Sequence, residues 1–355
     1  MPLPPLRFEP ILKTRAWGGG ALRALGKAAP VAGTVPVGES WEIADLAPPV
    51  ADGVSRVASG PFRGTTLRDL MAEHRAALLG AAADADGRFP LLVKFLDAAE
   101  NLSVQVHPTE AYAQRHPGSH LKTEAWVVVD AAPGAAIYRG VRPGIDAARF
   151  RAAIADGSAV DCLVREEVRP GDCIALQSGL CHALGAGVLV AEVQTPSDTT
   201  FRVFDWNRND PARPLHVDQA LECILFGDSQ GLERAPIASL DRSAAAWSDG
   251  IRAATVCRNR YFGIALAEAS PSGDAGPVEF RAAPAPRVLM LLRGTATLRA
   301  PGHREEHLRT GDTVLLPADC CAGEIRPEPG ALLLEASAAS PADALDATHR
   351  FGRTA

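Results

Sequence analysis

The chain has 355 residues, of which 47% are hydrophobic and 22% are charged, and its formal net charge is −6 at pH 7. This composition excludes a largely disordered chain, and the negative charge argues against nucleic acid as a partner because a broad basic face is lacking. The length favours two domains over a single core.

The N-terminal sequence Met-Pro-Leu-Pro-Pro lacks a basic segment followed by an apolar one, so it predicts no signal peptide. Apolar runs such as 288–292 are far shorter than the roughly 18 residues needed to span a bilayer. The seven cysteines include no CxxC pair and fit reduced thiols. We therefore expect a cytoplasmic protein without a membrane partner, and we leave its state open between monomer and homodimer.

Short alternating segments with many Gly and Pro residues predict a mainly β fold with a few short helices. Helical periodicity indicates helices at 66–83 and 146–156, and Asp146 is a suitable N-cap for the second. Strands are predicted at 89–95, 102–107, 124–129, 173–176, 188–194 and 199–204.

A polar, alanine-rich passage at 227–249 is predicted to link an N-terminal domain, 1–226, to a C-terminal domain, 250–355. The two helices would then be insertions in the first domain. In the second domain, strands are predicted at 261–267, 288–293, 295–299, 313–316 and 331–335.

The two predicted domains share a local pattern. Gly171-Asp172 leads through an apolar strand and a turn to His182, and Gly311-Asp312 leads in the same number of steps to Ala322. This pattern indicates an internal repeat in which only the first copy keeps a metal-binding histidine. We therefore expect a β-barrel duplicated in tandem, with the metal site in the first copy.

One predicted strand places Ser103, Gln105 and His107 on the same face, because side chains alternate along a strand. If that face points into a barrel, Glu124 joins it, and a buried carboxylate needs a cation. His182 follows a glycine-containing turn. Two imidazoles, a carboxylate and an amide oxygen suit Zn²⁺ or a similar divalent ion.

Each of these residues also has an ordinary structural interpretation. A His-Pro pair such as His107-Pro108 is usually a surface or capping histidine, and Glu124 taken alone is most often exposed to solvent. For His182 the two interpretations are evenly matched. The spacing alone is compatible with a metal site without deciding for it.

Several motifs resemble, in the same order, segments of the type I phosphomannose isomerases, which are cupin proteins. Three of them correspond to the family's zinc-site segments: Gln105-Val-His107-Pro, Lys122-Thr-Glu124-Ala-Trp126 and His182-Ala-Leu-Gly185. Further matches occur at 17–19, 38–42, 94–97 and 197–206. The resemblance is strong over residues 8–215 and weak beyond them.

The resemblance implies two tandem cupin (jelly-roll) β-barrels, of which the second is degenerate and without metal. It implies Zn²⁺ bound by Gln105, His107, Glu124 and His182. It also implies an aldose–ketose isomerase that interconverts mannose 6-phosphate and fructose 6-phosphate. Metal-assisted proton transfer between C1 and C2 would be the reaction.

The family's active-site arginine falls on Arg202, and an acidic residue of its pocket falls on Glu192. Ser103 and Lys122 match residues near the sugar phosphate. The catalytic base is left open between Glu192 and Lys122, and the lysine requires a pKa lowered by the nearby metal.

For Arg202, a structural salt bridge to Asp198 or Asp205 is the alternative to a catalytic role. The partners of the substrate phosphate are also open, since Lys13 and Arg15 compete with the lysine already named.

Two other functions are compatible with a cupin fold. A metal-dependent dioxygenase would bind Fe²⁺ and leave positions open for oxygen. A non-enzymatic sugar-binding bicupin would keep the metal only as a structural clip. The presence of Lys122, Glu192 and Arg202 argues against the clip, which needs none of them.

Overall fold

The computed structural model describes residues 2–340 except 28–35, 47, 49, 83, 85–86, 209, 212, 228–234, 244 and 274. Parts of the predicted linker and of the predicted C-terminal domain, and the last residue of the helix predicted at 66–83, lie outside the described residues. In the part that is described, 21 strands and five α-helices give the mainly β fold that the sequence predicts. Its helices are all too short or too polar to cross a membrane.

Two antiparallel sheets make up the first half. Their strands are β1 Ile11–Thr14, β2 Val37–Ile43, β3 Leu92–Ala98, β4 Val104–Val106, β5 Glu124–Ala131, β6 Ala136–Val141, β7 Leu163–Glu167, β8 Cys173–Leu176, β9 His182–Leu184, β10 Val188–Gln194 and β11 Phe201–Phe204. One sheet has the order β1-β2-β3-β10-β5-β8 and the other β11-β4-β9-β6-β7. Leu96 and Trp126 of the first sheet pack with Ile137 and Leu184 of the second, so the sheets enclose an interior as in a jelly roll.

The second half repeats this arrangement. Its strands are β12 Trp247–Ser248, β13 Ile251–Arg258, β14 Phe262–Ala269, β15 Val278–Phe280, β16 Arg287–Arg293, β17 Thr295–Arg299, β18 Glu306–Arg309, β19 Thr313–Leu316, β20 Gly323–Pro327 and β21 Leu332–Ala338. The sheet orders are β12-β13-β14-β21-β16-β19 and β15-β20-β17-β18. These orders match those of the first half strand by strand, apart from β11, and agree with the predicted repeat. The exact domain boundaries stay a prediction.

The two six-stranded sheets pack against each other through their outer faces. Phe95 and Val193 of the first half share one apolar cluster with Phe262 and Leu334 of the second. In β3 the residues alternate, so that Phe95 points into this shared cluster while Leu96 points into the interior of its own half. The polar interior of the first half is therefore supported from behind by a continuous core.

The described helices are short. They are α1 Ala21–Ala24, α2 Leu67–Leu79, α3 Glu110–Arg115, α4 Ala147–Asp156 and α5 Val217–Cys223, with 3₁₀ turns at Ala159–Cys162 and Leu240–Arg242. The helices predicted at 66–83 and 146–156 are confirmed as α2 and α4, but α2 ends at Leu79, four residues before the predicted limit, because Gly80 adopts a positive φ of 58° that leaves the helix. Thr66 and Asp69 form a capping box at the start of α2, and Asp146 caps α4 by accepting the N–H of Arg149.

Several predicted strand limits are wrong by a few residues. The strand predicted at 89–95 begins at Leu92, because Pro90 has no N–H and the N–H of Phe89 donates to the carboxylate of Asp45. The strand predicted at 102–107 is only Val104–Val106, since the Trp206 indole donates to the carbonyl of Leu102 in place of a neighbouring strand.

Candidate metal centre and active site

The metal-ligand candidates lie where the two sheets of the first half face each other. Gln105 on β4 stands directly opposite His182, the first residue of β9. Glu124 is the first residue of β5 in the other sheet, and His107 follows β4. The four side chains therefore converge, because β4 pairs with β9 in one sheet and the start of β5 faces them from the other.

His107, Glu124 and His182 form a compact triad in the interior. One ligand atom from each residue lies within 4.8 Å of the others. The Nε2 atom of His107 is 3.2 Å from one oxygen of Glu124, and Nε2 of His182 is 3.1 Å from the other. All three side chains are completely buried.

Hydrogen bonds fix the tautomers of both histidines. Nδ1 of His107 donates to the carbonyl of Thr199 at 3.2 Å, and Nδ1 of His182 donates to the carbonyl of Leu180 at 2.8 Å. A neutral imidazole that donates from Nδ1 carries a lone pair on Nε2. Both lone pairs therefore face the carboxylate of Glu124. Three electron-pair donors directed at one point repel each other, and a divalent cation bound between them would remove that repulsion.

Gln105 lies at the edge of this triad. Its side-chain Nε2 is 3.4 Å from Nε2 of His182. A half-turn of the amide exchanges its nitrogen and oxygen with little other change. The side chain is therefore positioned to offer a carbonyl oxygen to a cation held by the triad.

A positive charge adjoins the triad. Nζ of Lys122 is 2.9 Å from the carboxylate of Glu124. Burial alone would raise the pKa of Glu124, but the charge of Lys122 holds it well below its usual range. Burial, reinforced by the charge of Lys122, lowers the pKa of His107 to about 3. The imidazole is thus neutral at physiological pH, the form that binds a metal.

The pKa of Lys122 is raised. Burial alone would lower it, but the carboxylates of Glu124 and Glu192 outweigh the burial. The sequence interpretation of Lys122 as a base required the opposite shift, which would have to come from a bound cation. The protein's own charges keep this lysine protonated and make it a cationic donor.

Glu192 belongs to the same interior. On β10 it lies between Lys94 of β3 and Trp126 of β5 in the strand register. One carboxylate oxygen is 2.8 Å from Nζ of Lys94, and the other accepts the indole N–H of Trp126 at 2.8 Å. The charge of Glu192 also acts on Lys122, which places the two candidate bases in one electrostatic unit.

Arg202 lies on β11 opposite Gln105 and is partly buried. The alternative of a salt bridge to Asp205 does not hold, because Arg208 and Arg213 pair with that carboxylate at 2.9 and 3.0 Å. Among the described residues, Arg202 forms no ion pair with Asp198 either. Burial and then the charge of Arg213 lower the pKa of Arg202, although a guanidinium remains charged.

The other predicted residues have different surroundings. Ser103 is buried at the entry to β4. Nζ of Lys13 lies 4.7 Å above the Trp41 ring and donates to two backbone carbonyls of residues 51–52. Nε of Arg15 is 2.6 Å from the carboxylate of Glu39. Arg15 is near enough to Arg202 for the two charges to influence each other, so Arg15 remains a candidate partner of the substrate phosphate.

Sequence reasoning missed three residues of this pocket: Lys94, Glu39 and Trp41. Burial alone would raise the pKa of Glu39, but Lys94 and Arg15 lower it. Glu39 also accepts the indole N–H of Trp41 at 2.6 Å. The sequence could have indicated these residues, since side-chain alternation in the segments 38–42 and 94–97 places a charged residue on the inward face of each strand. Which charges meet depended on the strand register.

The second half has different chemistry at the corresponding positions. Arg287 begins β16 opposite Leu316, as Glu124 begins β5 opposite Leu176. Two residues further along the matching register, Glu335 stands where Glu192 stands in the first half. The guanidinium of Arg287 is 3.7 Å from the carboxylate of Glu335. In the interior of the second half, the guanidinium of Arg287 therefore provides the positive charge next to this carboxylate.

Comparison with known proteins agrees with this geometry. Residues 6–126 match the model for the catalytic domain of type I phosphomannose isomerase. The chain is 39% identical over 224 residues to the mannose-6-phosphate isomerase ManA of Bacillus subtilis, covering 62% of this chain and 68% of the relative. It is also 39% identical over 227 residues to the mannose-6-phosphate isomerase of Streptococcus mutans, covering 63% and 68%.

Solved structures are similar over nearly the whole chain. The mannose 6-phosphate isomerase from Bacillus subtilis superposes with a TM-score of 0.79 at 30% identity, covering 94% of this chain and 99% of that one. A phosphomannose isomerase variant from Salmonella typhimurium gives a TM-score of 0.70 at 18% identity, with coverage of 94% and 99%. The second likeness concerns the fold alone.

Proposed function

The chain belongs to the mannose-6-phosphate isomerase family and interconverts mannose 6-phosphate with fructose 6-phosphate; we propose that it does so with a zinc ion held by His107, Glu124, His182 and Gln105. The observation that carries this proposal is the pair of Nε2 lone pairs directed at one buried carboxylate. Nitrogen and oxygen donors in this number suit Zn²⁺. When bound, the cation would polarise substrate oxygens and counter developing negative charge.

The reaction moves a proton between C1 and C2 through an enediol or enediolate. Removing that proton requires a base, and we propose Glu192, a carboxylate that Lys94 and Trp126 hold in a fixed orientation. Lys122 is kept protonated by neighbouring carboxylates. It would therefore donate to a substrate oxygen and stabilise negative charge rather than remove the proton.

Arg202 would supply a second positive charge at the same pocket. Its guanidinium is not consumed by Asp205, so it remains able to stabilise the enediolate or the substrate phosphate. Ser103, buried at the start of β4, would contribute a hydroxyl to the substrate. We also propose that residues 1–226 form the catalytic domain and that residues 250–355 form a domain without metal, joined by a linker at 227–249.

The metal assignment is tested by substituting its ligands. His107→Ala and His182→Ala should each remove bound zinc and isomerase activity together, while circular dichroism shows that the fold survives. His307→Ala is a matched control, because that imidazole is 81% exposed on the second half. Metal analysis after purification without added metal would contradict the proposal if either triad variant retained stoichiometric zinc.

Arg202→Ala should keep the metal and lower kcat by about a hundredfold or more, the magnitude expected for loss of a preorganised charge. Arg326→Ala, at an exposed arginine of the second half, serves as its control. Near-normal turnover of Arg202→Ala in a coupled assay with mannose 6-phosphate would overturn its role.

Membership of an isomerase family favours this reaction over the dioxygenase and the non-enzymatic clip. An oxygen-uptake assay with the Fe²⁺-loaded protein would check the first alternative. The cytoplasmic location and the choice between monomer and homodimer stay predictions.

A further inference from the structure

His216 lies at the start of α5, the helix that packs against the strand carrying Arg202. It occupies the N-cap position of that helix, where a side chain commonly accepts an N–H of the first helical turn. The imidazole of His216 makes no such bond. Helix capping therefore does not account for a histidine at this position.

Both backbone groups of Arg202 bind His216 instead. The N–H of His216 donates to the carbonyl of Arg202 at 2.7 Å, and the N–H of Arg202 donates to Nδ1 of His216 at 3.4 Å. The strand β11 stands at the edge of its sheet, where backbone groups need partners other than a neighbouring strand. His216 thus provides for Arg202 the donor and the acceptor that a neighbouring strand provides inside a sheet.

The pairing of β11 with β4 is irregular directly after Arg202. Arg202 stands opposite Gln105 and Phe204 opposite Val104, so Val203 is an extra residue in β11. A bulge of this kind bends a strand and changes the direction of its side chains. Pairing with β4 therefore supports Arg202 on one side of the bulge, and the two bonds from His216 give it a second support.

The protonation state of His216 suits this contact. Burial and then the charge of Arg202 lower the pKa of His216. The imidazole is therefore neutral at physiological pH, and its Nδ1 carries a lone pair that accepts the N–H of Arg202. Its ring centroid lies 6.0 Å from that of Phe201, which is buried.

We propose that His216 is a positioning residue that fixes the orientation of Arg202 for the isomerisation. It acts through the backbone of Arg202, and the proposal needs no contact between His216 and the substrate. The inference rests on the role proposed above for Arg202 and names what holds that side chain in place. Because a misplacement of about 1 Å can cost roughly a hundredfold in rate, loss of one of the two bonds should lower kcat by about tenfold.

Two substitutions separate positioning from a structural role. Serine and asparagine are both good N-cap residues, and both keep the backbone N–H that binds Arg202. The side-chain oxygen of asparagine can take the place of Nδ1, whereas the serine hydroxyl is one bond shorter. His216→Ser should therefore lower kcat by about tenfold with little change in KM, and His216→Asn should retain most of the turnover. Bound metal and the urea midpoint should stay unchanged in both variants.

His307→Ser is the matched control. Nδ1 of His307 also lies 3.4 Å from a polar partner, the hydroxyl of Thr297, but this contact belongs to the second half. The control should leave kcat and KM unchanged in the coupled assay with mannose 6-phosphate. A purely structural role of His216 would leave turnover unchanged in its serine variant as well.

A double-mutant cycle tests whether the effect passes through Arg202. Arg202→Ala/His216→Ser should be no slower than Arg202→Ala alone, since nothing remains to be positioned. Normal turnover in His216→Ser, equal losses in the serine and asparagine variants, or additive losses in the double variant would each overturn the proposal. Near-normal turnover in Arg202→Ala would instead refute the role of Arg202 itself, and the positioning role with it.

Discussion

The buried pair of Lys94 and Glu192 gives a prediction that the structure makes quantitative. Nζ and Oε1 are 2.8 Å apart, and the two side chains are 9% and 3% exposed. At an effective dielectric constant of about 20, two unit charges at this distance attract by about 6 kcal/mol, before the cost of their desolvation. Lys94→Met removes the attraction but leaves the carboxylate buried. The free energy of unfolding should therefore fall by about 3–5 kcal/mol.

Urea unfolding of the metal-loaded protein, followed by both tryptophan fluorescence and circular dichroism, measures this loss. Coincident transitions are needed before a free energy is extracted. Glu192→Gln and the double variant Lys94→Met/Glu192→Gln complete a double-mutant cycle. Glutamine retains an oxygen for the Trp126 indole while it removes the charge. The double variant should therefore be more stable than Lys94→Met alone.

Arg165→Met serves as the control, since Arg165 pairs with Glu167 in an exposed position and should contribute little. A loss of less than about 1 kcal/mol in Lys94→Met would show that water or other donors solvate the carboxylate. Strict additivity of the two single substitutions would also refute the reasoning, because it would mean that the charges do not interact.

Three further predictions concern pH, packing and thiol reactivity. Burial lowers the pKa of His107 to about 3, so in the metal-free protein this imidazole binds a proton near pH 6.5 only when the chain is unfolded. Urea unfolding should therefore show about 1.4 kcal/mol less stability from this group at pH 5.5 than at pH 7.5. His107→Gln should abolish that component. In Gly185→Ala the new Cβ would lie 1.9 Å from a backbone carbonyl oxygen, so the free energy of unfolding should fall by about 1–3 kcal/mol or more in thermal and urea unfolding. Gly273→Ala is the control, because its new Cβ would have nothing within 4 Å and should leave the stability unchanged. Burial raises the pKa of Cys320 to about 12, so this thiol should stay unlabelled by iodoacetamide at pH 8 in the folded protein, as measured by mass spectrometry. The partly exposed Cys321 should react under the same conditions. Rapid labelling of Cys320 would contradict this prediction.

Strands with a clear apolar pattern and sharp ends were predictable from the sequence. The strands at 173–176, 188–194, 295–299 and 313–316 agree with the structure at both ends. Strands such as β7 were missed, because Leu163–Glu167 contains three charged residues and lies partly exposed at a sheet edge. Alternation alone gives such a segment little signal.

The metal-ligand candidates were predictable because each lies in a short local motif. The contacts around them were not, since they depend on register between strands that are distant in the sequence. Lys94 meets Glu192 only because β3 pairs with β10 at that register. A shift of one residue would turn Lys94 outward into the apolar cluster between the sheets.

The apolar cluster that joins the two six-stranded sheets has a consequence for biosynthesis. The ribosome releases the first half while Phe95 and Val193 still lack the side chains that will cover them. Those side chains include Leu334, on β21, the last strand in the part of the chain that the structure describes. Nascent chains that stop before this strand should therefore expose an apolar surface and become substrates for chaperones and proteases. This holds even though every proposed zinc ligand has already been translated.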